Sequence, residues 1–350
     1  MQAAKTRVLL VDDSPIAIRI LIKILAQAAD IEVIGSASDG KQALKMIASL
    51  NPAVVCTDFH MPGMDGLELI QNIMTHHPRP ILVISVSAQP GSANVFKLLE
   101  AGALDIVTKP KLEQEGIYGE IARELISKIR ILAGVHVFRR KAPGQLLPTA
   151  STSAQNDNRL LIIGSSTGGP QALLTILSQL PADFPLPIVC IQHISDGFLH
   201  NLISWLGEKC ALNCQIAQAG TAPVAGNVYF PQERMQLEFD AYGHFLIRSN
   251  TPNKGHCPSV STTMQSAAEQ FGDKQIAVLL TGMGDDGADG MLAISKAGGT
   301  TIAQSESSCV VFGMPKQAIA LGAAKRILAL DDIAPHLTGL CCREARSTAK

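Results

Sequence analysis

Residues 7–14 read RVLLVDDS, a strand-forming run that ends in two carboxylates and a hydroxyl. The pattern returns in EVIGSAS (32–38), AVVCTD (53–58), ILVIS (81–85) and DIVTKP (105–110). Segments of helical character separate these runs, and strands alternating with helices build βαβ units around a parallel sheet. A further helical stretch covers about 116–132. The expectation is an α/β domain over residues 1–133, doubly wound around a parallel five-stranded sheet.

Residues 138–158, FRRKAPGQLLPTASTSAQNDN, carry Pro, Gly, Ser, Thr, Asn and Gln with few large apolar side chains, the composition of a linker. The linker is placed at 134–157. Its Arg139-Arg140-Lys141 cluster is too short for a nucleic-acid arm and reads as a solvated linker. A second α/β pattern then opens with LLIIG (160–164), a helical run from Pro170 and IVCIQHI (188–194), and continues with IAVLLTG (276–282), TTIAQS (300–305) and AKRILAL (324–330). Between them NVYFPQ (227–232), MQLEF (235–239) and HFLIR (244–248) leave no room for crossover helices, so a local antiparallel hairpin or meander is expected there. Residues 158–350 are thus expected to form a second doubly wound α/β domain of different topology.

Composition narrows the class. The chain has 350 residues, 47% hydrophobic and 17% charged, which is too apolar for a disordered chain and fits two domains. No uncharged apolar run approaches the roughly 18 residues of a membrane span, and the N-terminus is not built as a secretory signal, so no membrane insertion and a cytoplasmic location are expected. With 29 Lys+Arg against 30 Asp+Glu the chain lacks the positive field of a nucleic-acid binder. Its eight Cys show no C-x-x-C pairing and read as small buried hydrophobes, not zinc ligands or disulfides.

In a parallel sheet, ligands gather at the carboxyl ends of the strands. Asp12 and Asp13 follow RVLLV and Asp58 follows AVVCT, so three carboxylates converge in a hard-oxygen site of the kind Mg²⁺ favours. Ser85 ends the next run and Lys109 the last; a hydroxyl and an ammonium beside acids suit a phosphoryl group carried on one carboxylate. VLLVDDS, TDFHMPGMDG, ILVIS and DIVTKP, in that order, resemble the flavodoxin-like receiver domain of two-component response regulators over residues 5–130. The resemblance implies Asp58 as phospho-acceptor, Asp12, Asp13 and Asp58 as Mg²⁺ ligands, Ser85 as the switch hydroxyl and Lys109 as the phosphate-pairing cation. It also implies a cis Lys109–Pro110 peptide. His60 departs from the acid common two residues after the acceptor, and Ser87 stands close to Ser85 as a competitor.

In the second domain IIGSSTGGP centres Ser166 in Gly164-x-Ser166-x-Gly168, at the junction of a strand and a helix. A nucleophile elbow has this form, because a sharp turn that exposes a hydroxyl needs small neighbours. A Gly-rich anion loop would use the same backbone N–H groups, and on the local motif alone the two readings stand equal, although both nucleotide fingerprints fail. A serine nucleophile needs a base and a group that orients it. His193 closes IVCIQ and Asp286 lies in the glycine-flanked loop of LLTGMGDDGADG, both at strand ends. Asp285 competes with Asp286, and His200, His244, His256 and His336 remain other candidate bases. GDDGADG lacks the spacing and terminal Glu of an EF-hand.

IIGSSTGGPQAL, IVCIQHI, PSV (258–260), LLTGMGDDG and SCVVFGMPK together are similar to the catalytic domain of the chemotaxis protein-glutamate methylesterases, over about 158–340. The receiver–linker–esterase order matches that family as well. The resemblance implies Ser166 as nucleophile, Thr167 as its active-site neighbour, His193 as general base and acid, Asp286 as its orienter and the Met283 N–H as oxyanion donor, with no cofactor at this site. Ser165 replaces a common Ala, and Ser261 stands where the family often has Asp. The implied activity is a phosphorylation-regulated hydrolysis of glutamate γ-methyl esters on methyl-accepting chemoreceptors, with glutamine deamidation, under a chemotaxis histidine kinase. Two other readings stand beside it: a non-catalytic regulator with a binding output domain, and a receiver-controlled hydrolase of small esters.

Overall fold

The computed structural model describes residues 4–86, 95–110, 115–135, 159–249 and 255–347. The expected linker therefore lies, beyond residue 135, outside the described residues, as does Ser87. The chain divides into two compact units, the first of which also takes in Ile194–Asn201, so that the helix Leu199–Lys209 given below with the second unit begins in the first.

The first unit runs β1 (Thr6–Val11), α1 (Pro15–Leu25), β2 (Ile31–Ala37), α2 (Gly40–Leu50), β3 (Val54–Thr57), α3 (Gly66–His76), β4 (Ile81–Ser85), α4 (Val95–Ala101), β5 (Asp105–Thr108) and α5 (Glu115–Ala133). Its five strands pair in parallel in the order β2-β1-β3-β4-β5. Helices cover both faces of such a sheet, so its inner strands read as continuous apolar runs. All of Val8–Val11, Val54–Thr57 and Ile81–Ser85 is buried. Helices start where short polar side chains cap them: Ser14, Asp39 and Asp65 accept from Ala17 N, Gln42 N and Glu68 N. Strand order reverses between β1 and β3, so the crevice at that switch point opens beside Asp12 and Asp58.

The second unit runs β6 (Leu160–Ser165), α6 (Gly169–Leu177), β7 (Ile188–Gln192), α7 (Leu199–Lys209), β8 (Asn213–Ile216), β9 (Asn227–Phe230), β10 (Met235–Phe239), β11 (Phe245–Ser249), α8 (Val260–Phe271), β12 (Gln275–Leu279), α9 (Ala288–Lys296), β13 (Thr300–Gln304), α10 (Met314–Ala320), β14 (Arg326–Leu328) and α11 (Leu330–Ser347). Seven strands form a parallel sheet in the order β14-β13-β12-β6-β7-β9-β8. The chain leaves β6 for β7 on one side and returns to β12 on the other, so the carboxyl ends of β6, β7 and β12 frame the switch point.

The expected hairpin is β10–β11, antiparallel from Met235↔Ser249 to Phe239↔Phe245. NVYFPQ does not join it. β9 instead pairs in parallel with β7, where Val228, Tyr229 and Phe230 are all buried. The hairpin packs on α8: Thr263 Oγ1 donates to Leu237 O at 2.7 Å, Ser266 Oγ accepts from Phe239 N at 2.8 Å, and Phe239 meets Phe271 edge-on at 5.1 Å.

Among the described residues the cis peptide is Cys257–Pro258; Lys109–Pro110 is trans, the geometry that X–Pro bonds prefer by about 0.5–1 kcal/mol. Cys56 and Cys190 are buried, as expected of small hydrophobes, and burial pushes the Cys56 thiol up to about 12, whereas Cys210, Cys214, Cys257, Cys309 and Cys341 are only partly buried.

Candidate active site and phospho-acceptor cluster

In the first unit Asp12 and Asp58 are buried and Asp13 exposed, and one carboxylate oxygen of each lies within 4.8 Å of the others. Lys109 Nζ bridges Asp12 Oδ2 at 2.6 Å and Asp58 Oδ2 at 2.7 Å. The remaining oxygens accept from backbone, Asp12 Oδ1 from Ser14 N at 2.9 Å and Asp58 Oδ1 from Phe59 N at 2.7 Å. Burial raises the Asp12 carboxyl above its ordinary value despite Lys109 and Ser14. Burial also works against the charge of Lys109, but its hydrogen bonds to Asp12 and Asp58 outweigh that and raise it. Ser85 is buried at the end of β4, and its carbonyl accepts from Lys109 N at 2.8 Å. The structure thus brings Asp12, Asp13, Asp58 and Lys109 together, with Ser85 held beside Lys109 by backbone. Three carboxylates at this spacing are a hard-oxygen donor set that fits Mg²⁺. His60 is exposed, with its ring 4.2 Å from that of Phe59.

In the second unit the site grows from the ends of three adjacent strands. Ser165 and Gln192 are register partners on β6 and β7, and His193 N donates to Ser165 O at 2.9 Å, which sets Ser166 and His193 side by side as the chain leaves the sheet. Gly168 takes φ +78 at the start of α6, a left-handed turn that costs an L side chain about 1–2 kcal/mol. Gly282 follows β12, and a Cβ there would lie 2.7 Å from Ser166 Cβ. This close approach places Met283, 46% exposed, next to Ser166. Ser166 N already donates to Thr281 O at 3.0 Å. Thr167 is buried, and its carbonyl accepts from Thr281 Oγ1 at 3.0 Å.

His193 Nε2 meets Asp286 Oδ2 at 2.9 Å. Asp286 is buried and accepts three further hydrogen bonds, from Ser259 Oγ at 2.9 Å, Val260 N at 2.8 Å and Ser261 N at 2.9 Å. Burial acts to raise its carboxyl, but His193 and the two backbone N–H groups overcome it and hold the group far below the ordinary carboxylate range. A fixed carboxylate on Nε2 puts the ring proton there and leaves Nδ1 as the basic nitrogen, the reverse of the usual serine-protease ring orientation. Among the described residues no hydrogen bond joins Ser166 Oγ to the His193 ring; catalytic hydrogen bonds often tighten only when substrate binds.

Asp285, the sequence competitor, is exposed. Of the other candidate histidines, His200 is exposed, His244 lies 3.5 Å from Asp240, and His336 sits on α11. His256 comes to the site as a neighbour: its ring stacks on that of His193 at 4.5 Å and 16°. Burial and the His193 charge lower its pKa. The sequence reading missed Ser259 as a ligand of Asp286; its signal was the Ser that precedes a helical run, the form of an N-cap. Ser261 Oγ accepts from Gly287 N at 2.7 Å and so ties α8 to the Asp286 loop.

Residues 161–337 match the family model described as CheB methylesterase, and residues 8–118 match that of the response regulator receiver domain. The protein-glutamate methylesterase/protein-glutamine glutaminase of Nitrosospira multiformis is 37% identical over 95% of this chain and 96% of its own. A namesake from Anaeromyxobacter dehalogenans is 40% identical over 93% and 94%. The chain belongs to the CheB methylesterase family. The Thermotoga maritima CheB methylesterase catalytic domain is a structural relative, with TM-score 0.51 and 38% identity over 54% of this chain and all of that one. A CheB methylesterase with a receiver in front leaves the reading of a non-catalytic binding module without support. No helix among the described residues is long and apolar enough to cross a membrane.

Proposed function

We propose that the chain is a cytoplasmic, phosphorylation-controlled serine hydrolase that removes methyl groups from glutamate γ-methyl esters of chemoreceptors and deamidates particular receptor glutamines. The observation that carries this reading is the His193–Asp286 pair at the end of β7, one strand from Ser166.

His193 takes the Ser166 hydroxyl proton while Oγ attacks the γ-carbonyl carbon, and the carbonyl oxygen becomes an oxyanion that the Met283 N–H stabilises. Loss of one such donor costs about 2.7–4 kcal/mol of transition-state stabilisation. The C–O bond to methoxide breaks, His193 returns the proton and methanol leaves. Water, deprotonated by His193, then attacks the γ-glutamyl ester of Ser166 and releases a glutamate carboxylate. With a glutamine side chain the leaving group is ammonia. Asp286 stays ionised throughout and stabilises the imidazolium.

In the receiver, Asp58 accepts a phosphoryl group from a histidine kinase, Asp12, Asp13 and Asp58 would hold Mg²⁺, and Lys109 and Ser85 pair with the phosphoryl oxygens. Mg²⁺, when bound, neutralises charge on the transferring phosphoryl group. The unphosphorylated receiver restrains the esterase.

The test is methanol release from a methylated receptor by purified wild-type and Ser166→Ala protein. The expected result is release by the wild type and a loss of at least about 10³-fold in the variant. Equal release by both would remove Ser166 as the nucleophile. Activity on small esters with none on the receptor would select the small-ester reading.

A further inference from the structure

Resting on the serine-esterase reading, a second layer of the site is visible beneath the reacting side chains. Gln192 ends β7 and is 4% exposed. Its Nε2 donates to Ser166 O at 2.9 Å and to His193 O at 2.7 Å, so both amide protons are spent on the backbone of the nucleophile and of its base. Its Oε1 accepts from Ser165 Oγ at 2.6 Å, and Ser165 is fully buried. These partners fix the amide one way round: reversed, Oε1 would face two carbonyl oxygens, and the Ser165 hydroxyl would face an amino group. The first turn of α6 closes over the arrangement, since a side-chain carbon at Gly169 would run into Gln192 Oε1.

The sheet itself cannot do this work. The β6–β7 ladder ends with His193 N donating to Ser165 O. Beyond that rung Ser166 turns into the elbow, where its carbonyl also accepts from Gly169 N at 2.7 Å, and His193 turns into a loop. One amide that donates to both carbonyls ties the two diverging segments together and so fixes where the two residues stand. We infer that Gln192, anchored by Ser165, is a positioning residue that supplies the missing rung and sets the Ser166–His193 separation for proton transfer.

The test measures methanol release and fluorophosphonate labelling of Ser166 across pH for the full chain and for Gln192→Met, Ser165→Ala and the double variant, each scored per folded molecule by circular dichroism. Gln192→Met keeps size and removes all three hydrogen bonds. A misplacement near 1 Å costs on the order of 10²-fold, so kcat and the labelling rate should fall about 10- to 100-fold while KM changes little. The apparent pKa that governs labelling should also move, which a loss of folded protein alone would not produce. Ser165→Ala should cost about fivefold, and the double variant should be no worse than Gln192→Met because the two side chains act as one network. A wild-type rate and pH profile in folded Gln192→Met, or additive losses in the double variant, would overturn the inference. If Gln192→Met does not fold, Ser165→Ala decides: a reduced rate with a moved pH profile supports the inference, and wild-type behaviour overturns it. Ser166→Ala runs alongside, because persistent methanol release there sinks the serine-esterase reading, whereas its loss with an indifferent Gln192 sinks only the positioning role.

Discussion

Asp286 accepts four hydrogen bonds, three of them from residues 259–261. Two of those donors are the first backbone N–H groups of α8, where the helix dipole also favours an anion. The group is therefore a permanent carboxylate, suited to orienting His193 and unsuited to trading protons with it. Asp286→Asn would set an amide NH₂ against N–H donors and remove the charge that steadies imidazolium. The expected outcome is a loss on the order of 10⁴-fold in kcat for methanol release, with a retained fold. Because its folded pKa lies far below the unfolded value of 3.8, Asp286 contributes stability that is full above pH 3.8 and is lost progressively as pH falls from there toward the folded value. Below pH 3.8 the wild type should therefore lose stability with added acid that Asp286→Asn, already without the carboxylate, does not lose, giving the variant the shallower acid-unfolding slope. The places of Ser166, His193 and Asp286 were legible because the first two follow apolar runs and the third lies in the glycine-flanked loop after another, and chemistry collects at strand ends. Ser259 and Gln192 were not: their roles are hydrogen bonds to residues 27 and 26 positions away, which no local spacing encodes.

At the scale of elements, the segment from His256 to Ser259 joins the hairpin to the site. Gln236 on β10 donates through Nε2 to His256 O at 2.8 Å and accepts through Oε1 from Ser259 N at 2.8 Å. It thereby holds a histidine ring on His193 and a hydroxyl on Asp286. Ser259 Oγ also accepts from Thr262 N as the cap of α8, so Ser259→Ala should cost about 1 kcal/mol in urea unfolding and slow catalysis through Asp286. His256 faces His193, Asp286 and Asp285, and burial and the first of these lower its pKa below 6.5. A histidine kept neutral by the fold binds its proton more readily when unfolded, so stability falls as pH drops below 6.5. His256→Phe keeps a ring on His193 and should flatten the unfolding free energy between pH 6.5 and 5; an unchanged slope would refute the assignment. The strands themselves were readable because parallel, doubly covered strands are continuous apolar runs. NVYF was misplaced for the same reason seen from the other side: closeness in sequence suggested a meander, while three buried residues in a row call for the centre of a covered sheet.

At the scale of the whole molecule, the proposed control of the esterase begins at Asp58 and Lys109. Lys109 sets one positive charge between Asp12 and Asp58, and a phosphoryl group on Asp58 adds roughly −1.5 to −2 charge and three acceptor oxygens to that balance. Lys109 is tied through its N–H to the carbonyl of Ser85, so a new partner for the ammonium bears on the ends of β4 and β5 at once. Those two strand ends are then the element whose two arrangements the phosphoryl group would bias. Such coupling is typically worth about 1–3 kcal/mol, which sets the size of the effect at roughly 5- to 150-fold. A protein lacking residues 1–145 should release methanol faster than the unphosphorylated full chain by a factor in that range. Addition of a small-molecule phospho-donor with Mg²⁺ should bring the full chain toward the truncated rate. Asp58→Asn should not respond, and chelation of Mg²⁺ should abolish the response of the wild type without lowering its basal rate. The truncated protein is the decisive arm, because it separates release from restraint from a direct contribution of the receiver. A truncated rate equal to that of the unphosphorylated full chain would mean that the receiver does not restrain the esterase. A truncated rate that stays there while phosphorylation still accelerates the full chain would instead make the phosphorylated receiver an activator in its own right.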